Sequence, residues 1–390
     1  MVTYRTAGES HGKALIALVE GIPAGVRVST EFLRGELAKR RGGVGRGERQ
    51  KFEQDDVTIL SGVIHGKTIA SPIAIEILNS EWAKWESIMS PDELDFKGGS
   101  LPLAAASNKS ESSATPSPGE DPKPPFAAPN VPKGEEYDRL MRPRPGHADL
   151  EGIRKYGFEN ARPVLERASA RETAARVAAG AIAKLYIAQA AGVEVEAKVV
   201  QFGEVVRENG EGDEVFDQRA QDFADVAVRE GETVGGIVEV VAKNVPAGLG
   251  SYISASSRLD AALTGALMSI QAVKGVEIGH GFGFASLRGS QAHDAILSEN
   301  GKFRRRSNNA GGVEGGISNG EDVIARIVVK PIPSVPGGLE TVDLSTGAPA
   351  RGHSQRSDCS AVYPARIVAE AEVALVIADF LTRVRGVDSI

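Results

Sequence analysis

Between residues 30 and 41 the apolar positions Phe32, Leu33 and Leu37 share one face at helical spacing, behind a Ser29 or Thr30 cap and with Glu31 in the first turn. Lys39, Arg40 and Arg41 suit the negative end of that helix, and Gly42-Gly43 ends it. β-Branched runs at 57–60 and 73–78 predict strands. An alanine-rich stretch over 169–191, closed by Gly192, predicts a long helix, with a strand over 193–202 after it. Residues 234–242 alternate as a strand does, and Pro246-Ala247-Gly248 marks a turn. Leu259, Leu263, Leu267, Ile270 and Val273 then form a stripe that predicts a helix over 257–274. A strand over 323–329 and a helix over 365–384 complete the pattern. Glu370, Glu372 and Asp379 interrupt the most apolar part of that helix, which makes it a core helix and not a membrane span. Strand groups and long helices thus alternate twice in similar order. That predicts an α+β, β-α-β layered core with possible internal duplication, although no clear sequence repeat is visible.

Composition changes this picture in one place. Eight of the chain's 20 prolines fall between Gly98 and Glu136, among Ser, Lys, Asp and Glu, which predicts an exposed, mobile loop too short to be a domain. Elsewhere the composition is that of a globular protein with 390 residues, enough for one large domain or two ordinary ones. The net charge of −7 argues against a general affinity for nucleic acid or anionic membrane. The single cysteine, Cys359, and an N-terminus without an apolar signal segment lead to the expectation of a cytoplasmic protein.

An acidic chain must build any anion site from local arginine. His11 lies between glycines in Gly8-Glu9-Ser10-His11-Gly12, where few side chains screen its ring. Residues 39–49 carry Arg40, Arg41, Arg46 and Arg49 on a glycine-rich loop that is neither a Walker loop nor a dinucleotide fingerprint. Arg142, Arg144 and His147 share a rigid Pro/Gly turn, and Arg167, Ser169 and Arg171 mark a helix start suited to phosphate or carboxylate. Residues 308–316 are too glycine-rich for core packing, Lys330 and Ser334 follow a strand, and Asp358 stands beside Arg356, which would keep the carboxylate ionised. The six histidines show no metal-ligand spacing, so no metal is expected, and no GxSxG elbow offers a serine nucleophile. These residues alone describe an enzyme for a polyanionic small molecule, with two histidines as acids.

Ten segments together resemble the chorismate synthase family. They are GESHG at 8–12, EGIPAG at 20–25, RRGGVGRGERQ at 40–50, SGVIHGKTIASPI at 61–73 and RPGHAD at 144–149, followed by RASARETAARVAAG at 167–180, SIQAVKG at 269–275, NNAGGVEGGISNG at 308–320, KPIPS at 330–334 and RSD at 356–358. They keep the family's order and span nearly the whole chain, which implies one domain over 1–390. Ala70 stands where the family pattern has glycine, and the 98–136 loop is longer than the family's.

The resemblance implies a β-α-β sandwich, a homotetramer, and a lyase of the shikimate pathway toward aromatic amino acids. Its substrate would be 5-enolpyruvylshikimate 3-phosphate (EPSP), from which phosphate and a proton leave in an anti-1,4-elimination, with reduced FMN required but not consumed. By position, His11, His147 and Asp358 match the catalytic residues. Ser10, Arg40, Arg46, Arg49, Arg144, Ser169, Arg171 and Arg356 match substrate contacts. Arg167, Ala168, Ser169, Gln271, Ala272, Gly315, Lys330, Pro331, Ile332, Pro333, Ser334 and Arg356 fall in flavin-holding segments. The chemistry assigns protonation of the departing phosphate to His11, protonation of the reduced flavin to His147, and assistance to flavin N5 to Asp358. The electrons that reduce the flavin would come from NADPH or an external flavin reductase. The rival readings are a flavin reductase using NADPH and a non-catalytic anion- or RNA-binding module, the latter disfavoured by charge.

Overall fold

The computed structural model describes residues 1–47, 55–91, 140–353 and 358–385, so the 98–136 stretch, Arg49 and Arg356 lie outside the described residues. Two antiparallel sheets enclose a layer of helices. In the first sheet Thr3–Ala7, Ala14–Glu20, Ile73–Leu78 and Asp56–Ile59 lie side by side in that order. In the second the order is Val273–Ile278, Val323–Val329, Gly236–Lys243 and Glu194–Phe202, with Val205–Val206 at the edge. Alternation decides which face is buried. Leu15, Ala17, Val19, Ile73, Ile75 and Ile77 line the inner face of the first sheet, and Val238, Val240, Val323, Ala325, Ile327 and Val329 that of the second.

Helices Thr173–Ala191 and Val362–Arg385 pack on each other between the sheets, the first against Ala14–Glu20 and the second against Glu194–Phe202 and Gly236–Lys243. Gly180 permits their close approach, because a Cβ there would stand 2.2 Å from that of Ala371. Thr30–Arg41 is a helix as predicted, with the Ser29 hydroxyl accepting from the Phe32 amide at 3.3 Å. The helix predicted over 257–274 is shorter, Leu259–Met268, and Val273 and Lys274 belong to the next strand. The break is Ala272, at φ 68°, a left-handed conformation that stops a helix.

Apart from insertions such as helix Asp213–Glu230 between the first two strands of the second half, the two halves repeat one plan: two strands, a helix, a strand, a small hairpin, a strand and a long helix. Sheet order matches as well, with Thr3–Ala7, Ala14–Glu20, Ile73–Leu78 and Asp56–Ile59 corresponding to Glu194–Phe202, Gly236–Lys243, Val323–Val329 and Val273–Ile278. The correspondence reaches single hydrogen bonds. Thr68 donates its hydroxyl to the Pro23 carbonyl and accepts from the Val26 amide; Ser318 does the same with Pro246 and Leu249. Positive φ recurs at Gly62, His65, Gly66 and Ala70 and again at Gly312, Gly315, Gly316 and Gly320. The expected duplication is therefore present, and it shows in backbone geometry where the side chains have diverged.

Candidate active site

Because the halves share one plan, equivalent strand ends and helix starts come together at one end of the sandwich. Asn79, just past Ile73–Leu78, donates to the Ser10 and Gly12 carbonyls and anchors the His11 loop. Lys330, just past Val323–Val329, donates its ammonium to the Gly146 carbonyl and its amide to the Ala272 carbonyl, joining the His147 turn to the 271–272 segment. Helix Thr173–Ala191 starts here behind a single turn capped by Ser169, and Val362–Arg385 starts just after Asp358.

His11 is buried, and its Nδ1 lies 3.1 and 3.0 Å from the two carboxylate oxygens of Glu166. Ser10 meets Ser169 hydroxyl to hydroxyl at 3.2 Å. Asp55, fully buried, accepts from Arg171 and lies 3.8 Å from both Arg40 and Arg41. Three guanidiniums thus gather around Asp55 next to the serine pair, the residue type an anion site requires. Arg40 also donates to the Thr173 hydroxyl at 3.4 Å.

His147 forms the second cluster. Its Nδ1 is 2.5 Å from Asp149, which also accepts from Arg144 Nε at 2.8 Å. Arg144 reaches on to the Ser334 hydroxyl at 2.9 Å. Burial works against ionising Asp149, but hydrogen bonds from His147 and Arg144 outweigh it and hold the carboxyl well below the usual range. Glu166 behaves alike: burial opposes its charge, and His11 and Arg162 prevail. His353 is buried nearby with Nδ1 3.2 Å from the Arg142 carbonyl, and burial followed by the Arg144 charge lowers its proton affinity.

Several predicted contacts have other partners. Arg46 is ion-paired with Asp358, whose second oxygen accepts the Gly47 amide at 2.7 Å. The Cys359 amide donates to the Gly45 carbonyl and the Val234 amide to the Cys359 carbonyl, fixing the segment after Asp358. Arg167 is turned to the Thr6 and Gly8 carbonyls and braces the first loop, with Ala168 following it at the helix end. Gly315 lies in the turn between strands Val313–Glu314 and Ile317–Ser318, ahead of Val323–Val329, and Lys330 follows that strand. Sequence reasoning missed Asp55, Asp149 and Glu166 as parts of the site.

The remaining predicted flavin segments fit an anionic cofactor. Burial, and then the charge of Lys274, lowers the proton affinity of Lys330, a strain that a bound phosphate relieves. Gln271 donates to Glu172 at 2.9 Å, while its buried Oε1 meets no donor among the described residues. Ala272 presents its backbone in the left-handed region, and Pro331, Ile332 and Pro333 stiffen the path from Lys330 to Ser334, with the Ile332 carbonyl accepting from Thr233. No group of three or more His, Cys, Asp or Glu suited to a metal occurs among the described residues.

Comparison with known proteins gives the family. The family model described as chorismate synthase matches residues 2–382. A chorismate synthase from Thermobifida fusca is 47% identical over 408 residues, covering 100% of this chain and 96% of the relative. One from Streptomyces coelicolor is 47% identical over 404 residues, covering 99% and 94%. A crystal structure of chorismate synthase superposes with a TM-score of 0.71 at 33% identity, covering 100% of this chain and 94% of the other. Fold, site and relatives converge: the chain belongs to the chorismate synthase family, a family of lyases.

Proposed function

We propose that the protein converts EPSP to chorismate by anti-1,4-elimination of phosphate and a proton, with reduced FMN bound and no net redox change. The observation that carries this is the pair of carboxylate-backed histidines, His11–Glu166 and His147–Asp149, at one arginine-rich end of the sandwich. Membership in the family supports the substrate and cofactor.

Arg40, Arg171 and Arg144 neutralise the substrate's phosphate and carboxylates, and Ser10 and Ser169 supply hydroxyl donors beside them. Arg49 and Arg356 are proposed to add to this charge. His11 delivers a proton from Nε2 to the departing phosphate, and His147 supplies one on the cofactor side. Asp358, aimed by Arg46 and the Gly47 amide, would assist the cofactor in taking the proton lost from carbon; Arg46 thus acts through Asp358. Gln271, Ala272, Lys330 and Ser334, with Arg167–Ser169 alongside, would hold reduced FMN. When bound, it supplies the electron density that eases cleavage of the carbon–oxygen bond. Gly315 is proposed to add to the cofactor-holding segments.

A homotetramer in the cytoplasm, receiving electrons from NADPH or a separate flavin reductase, completes the proposal. No described helix is long and apolar enough to cross a membrane. The test supplies EPSP and photoreduced FMN to the parent, His11→Ala and His147→Ala. Each variant should lose about 10²- to 10⁴-fold in kcat; near-normal turnover in both would remove the two histidines from the mechanism.

A further inference from the structure

The fold sets a clamp around His11 that the family resemblance does not mention. Glu166 sits in the short helix Arg162–Arg167, is 1% exposed, and holds the His11 segment at three points. Its carboxylate accepts the His11 amide at 2.9 Å and faces Nδ1, while its backbone carbonyl accepts the Ser10 amide at 3.0 Å. One turn earlier, Arg162 donates to the same carboxylate at 3.2 Å. The Arg162 guanidinium also lies 5.3 Å from the centre of the Trp85 ring, and Trp85 covers the His11 ring at a centroid distance of 4.1 Å. The imidazole is therefore fixed at one edge by a carboxylate and on one face by an indole that shares the same arginine.

We infer that Glu166 is a positioning residue for His11, holding it with the proton on Nδ1 so that Nε2 is the nitrogen that gains and loses the working proton. The reason is the inventory of donors. An ionised carboxylate only accepts, so the nitrogen facing it must carry hydrogen in both the neutral and the charged ring. In the charged ring Nε2–H is the donor for a leaving phosphate oxygen, and in the neutral ring Nε2 is the bare base. A flip of the ring would put Cδ2 in place of Nδ1 and break the contact with Glu166, while Trp85 packs against the ring face. This rests on the reading of His11 as the proton donor to phosphate.

The test is nitrogen-15 NMR of the full-length protein labelled at histidine, with the His11 signals assigned by their loss in His11→Gln, beside EPSP turnover with photoreduced FMN. In the parent, at a pH where the spectrum shows His11 neutral, the ring should have a protonated Nδ1 and a bare Nε2. In Glu166→Gln, whose amide can donate as well as accept, the tautomers should mix. There kcat should fall at least about tenfold, with KM changed by less than about threefold. A parent His11 protonated on Nε2, or a Glu166→Gln protein with unchanged tautomer and turnover, overturns the inference. The parent spectrum needs no variant, so it decides the matter even if Glu166→Gln does not fold. A parent with the expected tautomer that makes no chorismate supports the clamp while contradicting the proposed reaction.

Discussion

Asp149 shows how a single buried carboxylate serves two tasks at this site. It orients His147 through Nδ1 and, by accepting from Arg144, keeps the guanidinium directed at Ser334. Asp149→Asn retains the shape but supplies a donor where an acceptor is needed. Turnover is expected to fall at least about tenfold, with the protein still folded by circular dichroism. Asp149 and Glu166 are both held ionised below the usual carboxylate range, whereas in the unfolded chain they titrate near ~4. Their depressed folded values give stability that is complete above the unfolded values and lost as pH falls through the folded ones. Thermal unfolding measured from about pH 6 downward should show Tm falling below about pH 4, and less steeply in Asp149→Asn. Ala70 is a different case: it occupies φ 60° at the position where the second half has Gly320 at 92°. Ala70→Gly should stabilise by about 0.5–1 kcal/mol, relief of left-handed strain exceeding the added chain entropy; urea unfolding checks this.

The two central helices meet at Gly180, where packing reverses an ordinary propensity. Alanine for glycine inside a helix normally stabilises by about 1 kcal/mol. Here the added methyl would stand 2.5 Å from the Ala371 Cα, so Gly180→Ala should destabilise by about 1–3 kcal/mol in denaturant unfolding. Elements with a clear period or cap were legible in the sequence: Thr30–Arg41, Ile73–Leu78 and Val323–Val329 have the predicted bounds. Helix Leu259–Met268 was read too long because Ile270 and Val273 continue its apolar stripe, and alanine gives no sign of the left-handed turn at 272. Helices Asp149–Tyr156 and Asp213–Glu230 were passed over, the second because its buried face is mostly the small residues Ala220, Ala224 and Ala227. The arginine and histidine clusters were visible as local sequence. Glu166 was not, since a glutamate in a polar helical stretch looks solvated and its partner His11 is 155 residues away.

Across the whole molecule, duplication explains why so much positive charge gathers in a chain of net charge −7. Two copies of one plan bring their strand ends and the starts of two long helices to the same end of the sandwich. The first half contributes the Ser10, His11 and Arg40 side of the site, and the second the Gln271, Lys330 and Ser334 side. Each half alone carries part of the proposed site, and the two together complete it. The most direct test is an anaerobic reaction of the purified protein with EPSP and photoreduced FMN, following chorismate by absorbance, phosphate by release, and the flavin by its spectrum. The expected result is chorismate and phosphate in equal amounts, with the flavin still reduced at the end. Flavin oxidised in step with product, or no product from protein that binds both EPSP and FMN, would contradict a redox-neutral elimination at this site.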